Sequence, residues 1–400
     1  MQLAEIQDLD QKYYMNTYGS RTPVAFTHGE GMRLYGADGK AYIDFLAGIA
    51  VNALGYNHPK LTRAICEQAD KLIHCSRLYY MENQAALAEA LVKKSCADKA
   101  FFSNSGAEAN EGAFKLARKY FYLKGEQRYE VISTDHSFHG RTLATIAATG
   151  QEKYQKPFRP MPEGFIQVPY NNLDAVENAI TEKTCAVFIE VIQCEGGIVI
   201  GTDAYIKGLR KLCDTHGILL IIDEVQTGMG RTGTYFGYEY YGIEPDIFTC
   251  AKALGGGVPL GAVLAKGDVA DAFEPGNHAS TFGGNPLACA AGLAVVSALE
   301  EECLVENAKT TGQYLLEQMQ ALCATYDFVT DVRGRGLMVG VQIDPALPGS
   351  DIVDAMFNKG YLINCAGQNT LRFAPPLIVT PADVDGLITA LGGVLGDCRA

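Results

Sequence analysis

The chain has 400 residues, 48% hydrophobic and 20% charged, which fits a soluble globular protein with one large domain and a smaller companion and excludes a disordered or fibrous class. Its formal net charge of −13 argues against a nucleic-acid-binding or anionic-membrane-binding surface, since either needs a basic patch. Twelve cysteines run from Cys66 to Cys398 without a C-x-x-C pair, so they read as reduced thiols, not as disulfides or a zinc site.

Residues 1–18 are polar and lack the apolar core of a secretion signal, and no aliphatic run is long enough to span a bilayer; the expectation is a cytoplasmic protein. Arg33-Leu-Tyr35 and Tyr42-Ile-Asp44 flank the turn Asp38-Gly-Lys40 and predict a hairpin. Strand-like runs then recur at 99–103, 129–133, 186–190, 218–222, 246–249 and 261–265, with helical patterns between them. This alternation predicts an α/β fold with a mostly parallel sheet. Residues 107–120 carry Ala109, Ala113, Leu116 and Ala117 at helical spacing, with basic residues toward the end, as the helix dipole prefers. Cys213 and His216 stand one turn apart, but a lone pair is better read as helix packing than as metal ligation. Helices are expected at 287–301 and 305–326, then short strands at 337–343 and 371–373, the pattern of a separate α+β unit. The expected division is an N-terminal segment 1–57 that joins the small domain, a large domain 58–290 and a small domain 291–400.

Two strand ends carry the chemistry. The stretch 218–222 ends in Asp223-Glu224-Val225-Gln226, and Asp246-Ile-Phe-Thr-Cys-Ala-Lys252 gives way at once to a glycine-rich turn. A lysine and an acid at neighbouring strand ends suit pyridoxal phosphate. The amine forms a Schiff base with the cofactor, and the carboxylate keeps the pyridine nitrogen protonated, which makes an electron sink. Taken alone, each is more often a surface lysine or a turn-capping acid. Ser103-Asn-Ser105-Gly106-Ala107 lies where a strand hands over to a helix, so its amides suit a phosphate, although a plain serine N-cap reads equally well. In His136-Ser-Phe138-His-Gly140-Arg141, Phe138 suits the face of a flat ring and Arg141 a carboxylate held by two parallel hydrogen bonds. Arg372, read alone, is more simply a structural ion pair. Two segments imitate other functions. Gly228-Met-Gly230-Arg-Thr-Gly233 matches a dinucleotide fingerprint but no amphipathic helix follows it; 218–224 resembles the magnesium-binding strand of a nucleotide triphosphatase, but the chain has no G-x-x-x-x-G-K-[ST].

Together the motifs carry a resemblance that runs effectively end to end. It rests on Pro23-Val-Ala25, Asp44-Phe-Leu-Ala-Gly-Ile-Ala-Val51, Asn104-Ser-Gly-Ala-Glu-Ala-Asn110, Phe138-His-Gly-Arg141, Asp223-Glu-Val-Gln226, Ala251-Lys-Ala-Leu-Gly255, Thr281-Phe-Gly-Gly-Asn-Pro286 and Arg372-Phe-Ala-Pro375. The chain resembles the class III (ornithine-type, fold type I) pyridoxal-phosphate aminotransferases, most closely their acetylornithine branch.

The resemblance implies a fold type I transferase, with a mostly parallel central sheet, helices on both faces and a smaller α+β domain. It also implies a homodimer with its active site at the subunit interface. Lys252 would be the Schiff-base lysine, Asp223 the partner of the pyridine nitrogen, Gln226 the donor to the phenolic oxygen, and Phe138 the stacking ring. Ser105, Gly106 and Ala107 would hold the phosphate with Thr281 of the second subunit, and Glu224 and Val225 would join the cofactor contacts. Arg141 would take the α-carboxylate of acetylornithine, with Ser280 beside the substrate. Arg372 would take the α-carboxylate of glutamate, and Glu195 would cover Arg372 when it is not in use. The implied partners are small amino-acid and 2-oxo-acid substrates, with no metal, nucleic acid or membrane.

The chain departs from the family's usual pattern in two places beside Glu195, with Val191 after Glu190 and Cys194 after Gln193. Arg77 is more like ornithine δ-aminotransferases, whereas Ile49 leans away from them. The implied reaction is transamination of N2-acetylornithine with 2-oxoglutarate. Ornithine, succinylornithine or another ω-amino acid is the alternative donor, and an aminomutase, which needs no added 2-oxoglutarate, is the rival reaction class.

Overall fold

Strands that are apolar on both sides are stable only when both faces of their sheet are covered. The computed structural model describes residues 1–398, so positions 399–400 of the expected small domain lie outside the described residues. Its strands in chain order begin with β1 (Phe26–Glu30), β2 (Arg33–Gly36) and β3 (Ala41–Asp44). Then come β4 (Lys99–Ser103), β5 (Glu130–Thr134), β6 (Phe165–Val168), β7 (Thr184–Ile189), the short pair β8 (Ile192–Gln193) and β9 (Val199–Ile200), β10 (Leu219–Asp223), β11 (Ile247–Cys250) and β12 (Gly261–Ala265). The last are β13 (Val329–Arg335), β14 (Met338–Ile343), β15 (Tyr361–Leu362), β16 (Asn364–Ala366) and β17 (Thr370–Phe373).

The central sheet has seven strands in the order β4-β12-β11-β10-β7-β5-β6. Only β12 runs against its neighbours. Alternate residues of β7 show how both faces are covered. Ala186 and Phe188 pack with the helix Gly106–Leu123, while Val187 and Ile189 share the opposite core with the helices Asp203–His216 and Pro286–Glu301. Phe188 is fully buried, with its ring 4.9 Å from that of Phe114 and 4.1 Å from that of His139. Phe188→Ala would open a cavity costing about 3–5 kcal/mol, directly behind a residue of the site described below.

The helix Gly106–Leu123 starts where the Ser105 hydroxyl accepts from the amide of Glu108 (3.2 Å) and buries Ala109, Ala113, Leu116 and Ala117. It runs slightly past the expected 107–120 at both ends. β6 was not anticipated: it is a four-residue edge strand with polar Gln167 inside it, too short to show a period. β1 and β13 likewise lack a continuous apolar face in sequence.

Two further four-stranded sheets frame the central one. β13-β14-β17-β16 is antiparallel throughout, and in β1-β2-β3-β15 the N-terminal strands meet a C-terminal one, with Ile43 opposite Tyr361 and Asp44 opposite Leu362 in parallel pairing. The expected division at 290/291 falls inside the helix Pro286–Glu301, so the cut needs correcting. That helix ends before Cys303, whose φ of +53° breaks it from the next helix, Leu304–Cys323. No helix among the described residues is long and apolar enough to cross a membrane.

Candidate active site

β10 and β11 run parallel with Asp223 opposite Thr249. Both release the chain at their carboxyl ends, where open α/β sheets form their ligand crevice. Lys252 opens the turn Lys252–Gly255 just beyond β11. Its φ of +47° is left-handed, a strained setting for a residue with a side chain and one that persists only where the surroundings enforce it. Burial pulls the Lys252 amine below its ordinary pKa, against the opposing charge of Glu195 above all. An amine that gives up its proton more readily is a better nucleophile and base.

Asp223 is held from several sides. Its Oδ2 accepts from Nδ2 of Asn110 (2.9 Å) and faces Nδ1 of His139 (2.8 Å), and its Oδ1 accepts from the amide of Val225 (3.0 Å). Asn110 is itself fixed: the Thr249 hydroxyl donates to its Oδ1 (2.7 Å), and its Nδ2 also donates to the carbonyl of His139 (2.7 Å). Facing a carboxylate, Nδ1 of His139 is the protonated nitrogen, and Nε2 finds no hydrogen-bond partner among the described residues. Glu190 accepts from the amide of Phe138 (3.1 Å); burial, reinforced by the charge of Asp223, pushes its carboxyl well above the usual range.

These groups open on a cavity of about 380 Å³ that brings together Ser105, Gly106, Ala107, Phe138, Arg141, Asp223, Val225, Gln226 and Lys252. Gly106 must be small, since a Cβ there would lie 2.8 Å from the Val225 side chain. The Arg141 guanidinium lies 4.1 Å from the ring centre of Tyr154 and 5.5 Å from that of Phe138. It is exposed and has no ion-pair partner among the described residues.

Arg372 and Glu195 meet beside this cavity. Nη1 of Arg372 donates to Oε1 of Glu195 (2.5 Å), and Nε donates to Oδ1 of Asn364 (3.0 Å). Gln226 donates to the same Glu195 oxygen at 3.4 Å. Burial pushes the Glu195 carboxyl up, but the charge and hydrogen bond of Arg372, with Lys252 and Gln226, outweigh it and hold the carboxyl below its usual range. The unusual Val191 and Cys194 leave this geometry intact. Both are buried, with Cys194 Sγ 3.0 Å from Met338 Sδ, and the β8–β9 hairpin presents Glu195 to Arg372.

Three expected site residues lie elsewhere. Glu224 turns its side chain away from the cavity: Oε2 accepts from the Thr227 hydroxyl (2.5 Å) and the amide of Gly237 (3.0 Å), and Oε1 from that of Tyr238 (2.8 Å). These three contacts hold the carboxyl on the side of the 227–238 loop, out of the cavity, so the side-chain contact expected of Glu224 is corrected. Ser280 and Thr281 line a shallow pocket with Arg77 at the exposed surface of the chain, although the Ser280 hydroxyl accepts from Nδ2 of Asn104 (3.2 Å) at the cavity rim. Sequence reasoning missed Asn110, His139 and Thr249. All three stand inside the motifs that carry the resemblance or the Lys252 strand end, where a polar residue beside the chemistry was the available signal.

The site fits pyridoxal phosphate: a helix N-terminus ready for an anion, an anchored carboxylate, a lysine of lowered basicity and an aromatic side chain share one cavity. With the doubly covered parallel sheet, this defines a pyridoxal-phosphate enzyme of fold type I.

The sequence profile described as "Aminotransferase class-III" matches residues 14–395. The chain is 51% identical over 391 residues to the acetylornithine aminotransferase of Caldanaerobacter subterraneus subsp. tengcongensis, covering 98% of this chain and 99% of that protein. It is also 51% identical over 393 residues to that of Methanocaldococcus jannaschii, covering 98% of each. Among solved structures, the ornithine aminotransferase from Toxoplasma gondii superposes with a TM-score of 0.95 at 30% identity, over 100% of this chain and 96% of that one. The chain belongs to the class III aminotransferases, a pyridoxal-phosphate-dependent family.

Proposed function

We propose that the protein transfers the δ-amino group of N2-acetylornithine to 2-oxoglutarate, giving N-acetylglutamate 5-semialdehyde and glutamate, a step of arginine biosynthesis. The similarity to acetylornithine aminotransferases over nearly the whole chain supports the substrate. The observation that carries the reading is the Arg372–Glu195 pair beside Lys252. One site must admit a donor with no carboxylate at its reacting end and an acceptor that has one. A guanidinium covered by a carboxylate in the first case and uncovered in the second meets both needs.

When bound, the cofactor supplies an electron sink for the reacting carbon. Lys252 would hold it and, when free, would move a proton at that carbon. Asp223, braced by Asn110 and His139, would hold the cofactor's ring nitrogen and keep it protonated. Ser105, Gly106 and Ala107 would receive the phosphate, Phe138 and Val225 would contact the ring, and Gln226 would donate to its oxygen. Arg141, which has no ion-pair partner among the described residues, would take the far carboxylate of acetylornithine. Thr281, with Ser280, would serve the second subunit of a homodimer; Leu72, Ile73, Leu78, Tyr79, Tyr80 and Phe282 are exposed apolar side chains that such a dimer could cover. Twelve free cysteines suit a reducing compartment, and we assign the protein to the cytoplasm. We divide the chain into the N-terminal segment 1–57, a large cofactor domain and a C-terminal domain that starts near Cys303.

The test is the conversion of bound cofactor by single donors in the absence of any acceptor. N-Acetylornithine should react at least about tenfold faster than ornithine, since a contact tuned to one end group is worth about that much. Faster reaction of ornithine or another ω-amino acid would move the assignment to that donor.

A further inference from the structure

The backbone just beyond Glu195 is held by one guanidinium that the reaction itself does not use. Arg333 on β13 donates from Nε to the carbonyl of Ile198 (3.0 Å) and from Nη2 to the carbonyl of Gly197 (2.5 Å). Nη2 also reaches Oγ1 of Thr370 and Oε1 of Gln342, both at 3.3 Å, while Nη1 is anchored on Oδ2 of Asp331 (2.6 Å). The segment it holds is strained, with φ of +107° at Gly197 and +56° at Ile198, a left-handed setting that a β-branched residue strongly resists. It is also packed without slack. A Cβ on Gly197 would lie 2.8 Å from Oγ1 of Thr370, and one on Gly367 would lie 2.5 Å from the carbonyl oxygen of Gly196.

Thr370 and Arg372 stand two residues apart on β17 and so share a face of the strand. The loop is therefore joined to that strand by two rungs. One runs through Arg333 to the loop backbone, the other from Arg372 to the Glu195 side chain. Only the second must open when a substrate carboxylate takes Arg372.

We propose that Arg333 is a positioning residue for substrate discrimination: it pins the Gly197–Ile198 backbone, so that Glu195 uncovers and re-covers Arg372 by rotating its side chain alone. This rests on the reading that Glu195 and substrate carboxylates alternate on Arg372. Without Arg333 the strained segment relaxes, Glu195 loses its aim, and Arg372 stands uncovered more of the time. A substrate that brings a carboxylate to Arg372 then gains, and one that does not loses.

The experiment titrates glutarate, an unreactive five-carbon dicarboxylate, into the cofactor-loaded enzyme by calorimetry and measures N-acetylornithine single turnovers in parallel. Arg333→Gln should tighten glutarate about fivefold and lower the second-order rate constant of the N-acetylornithine single turnover about as much, the scale of one lost hydrogen-bonding anchor. A merely structural lesion weakens both. Arg333→Lys keeps the charge but cannot span two carbonyls, so it should fall between; it is read alone if Arg333→Gln does not fold. Because Arg333 acts through Glu195, adding Arg333→Gln to Glu195→Gln should change glutarate affinity by less than about twofold. Additive effects in the double variant, or weaker glutarate binding in Arg333→Gln, overturn the proposal. If Glu195→Gln tightens glutarate while Arg333→Gln binds it like the unmodified enzyme, the proposal alone fails. If Glu195→Gln itself does not tighten glutarate, the alternation on Arg372 fails and the proposal falls with it.

Discussion

The two ends of the cavity are built on opposite plans. At the Asp223 end the groups come from one sheet, the helix laid across it and the loop that follows β5, and the carboxylate is gripped by Asn110, His139 and a backbone amide at once. At the Arg372 end, the arginine lies on the C-terminal sheet and its partner Glu195 on a two-residue-strand hairpin of the central unit. The first arrangement has one state. On the proposed reading the second has two, because Arg372 would exchange the Glu195 carboxylate for that of a substrate at little electrostatic cost. Chemistry common to both half-reactions needs fixed groups, whereas discrimination between their substrates needs a group that can be covered and uncovered.

On that contrast, variants at the rigid end should damage both half-reactions alike and most heavily. Lys252→Ala should lower turnover by about 10⁴-fold, the upper end of what a positioned proton-transfer group contributes. It should still bind pyridoxal phosphate, and borohydride should no longer fix the cofactor to the chain; peptide mapping that finds the label on another lysine would remove the central assignment. Asp223→Asn should cost about 10²–10³-fold, on the scale of stranding one member of a buried pair. Equal slowing of the N-acetylornithine and glutamate half-reactions is the expected pattern, followed by the absorbance of the bound cofactor.

At the switchable end the losses should be one-sided. Arg372→Ala should slow the glutamate half-reaction roughly a hundredfold, the usual value of a bidentate charge-assisted contact. It should spare N-acetylornithine. Arg141 is exposed, so solvent discounts its contact, and Arg141→Ala should slow the N-acetylornithine half-reaction by about tenfold only. Equal losses in both halves for both variants would erase the distinction between the two ends.

The sequence was readable in proportion to how local each feature is. The strand ends bearing Asp223 and Lys252 were legible because doubly buried strands print as aliphatic runs and an acid or lysine at their ends stands out. The phosphate-ready turn was legible from its small residues. The braces around Asp223 were not. Thr249, Asn110 and His139 come from three separate elements, and their contacts exist only once the strands are ordered in the sheet. The Arg333 anchor of the Glu195 loop joins still more distant segments and left no local signal.

The smallest expected effect concerns the neighbour of Asp223 that faces the other way. Burial pushes the Glu224 carboxyl up from 4.5 to about 7, against the lowering pull of the Thr227 hydroxyl and the amides of Gly237 and Tyr238. A group whose pKa is higher in the folded state holds its proton more tightly there. Its contribution to stability is therefore complete below about pH 4.5 and fades as the pH rises through about 7. The melting temperature of the cofactor-loaded protein should accordingly fall between about pH 5 and pH 8. Glu224→Gln cannot ionise, so its melting temperature, although lower at pH 5 for want of an acceptor matching all three donors, should change less over that range. The activity ratio of the two half-reactions should stay unchanged, because Glu224 does not face the cavity. Parallel melting curves for the two proteins would mean that Glu224 is not the titrating group. A shift in the half-reaction ratio would put its side chain back in the site.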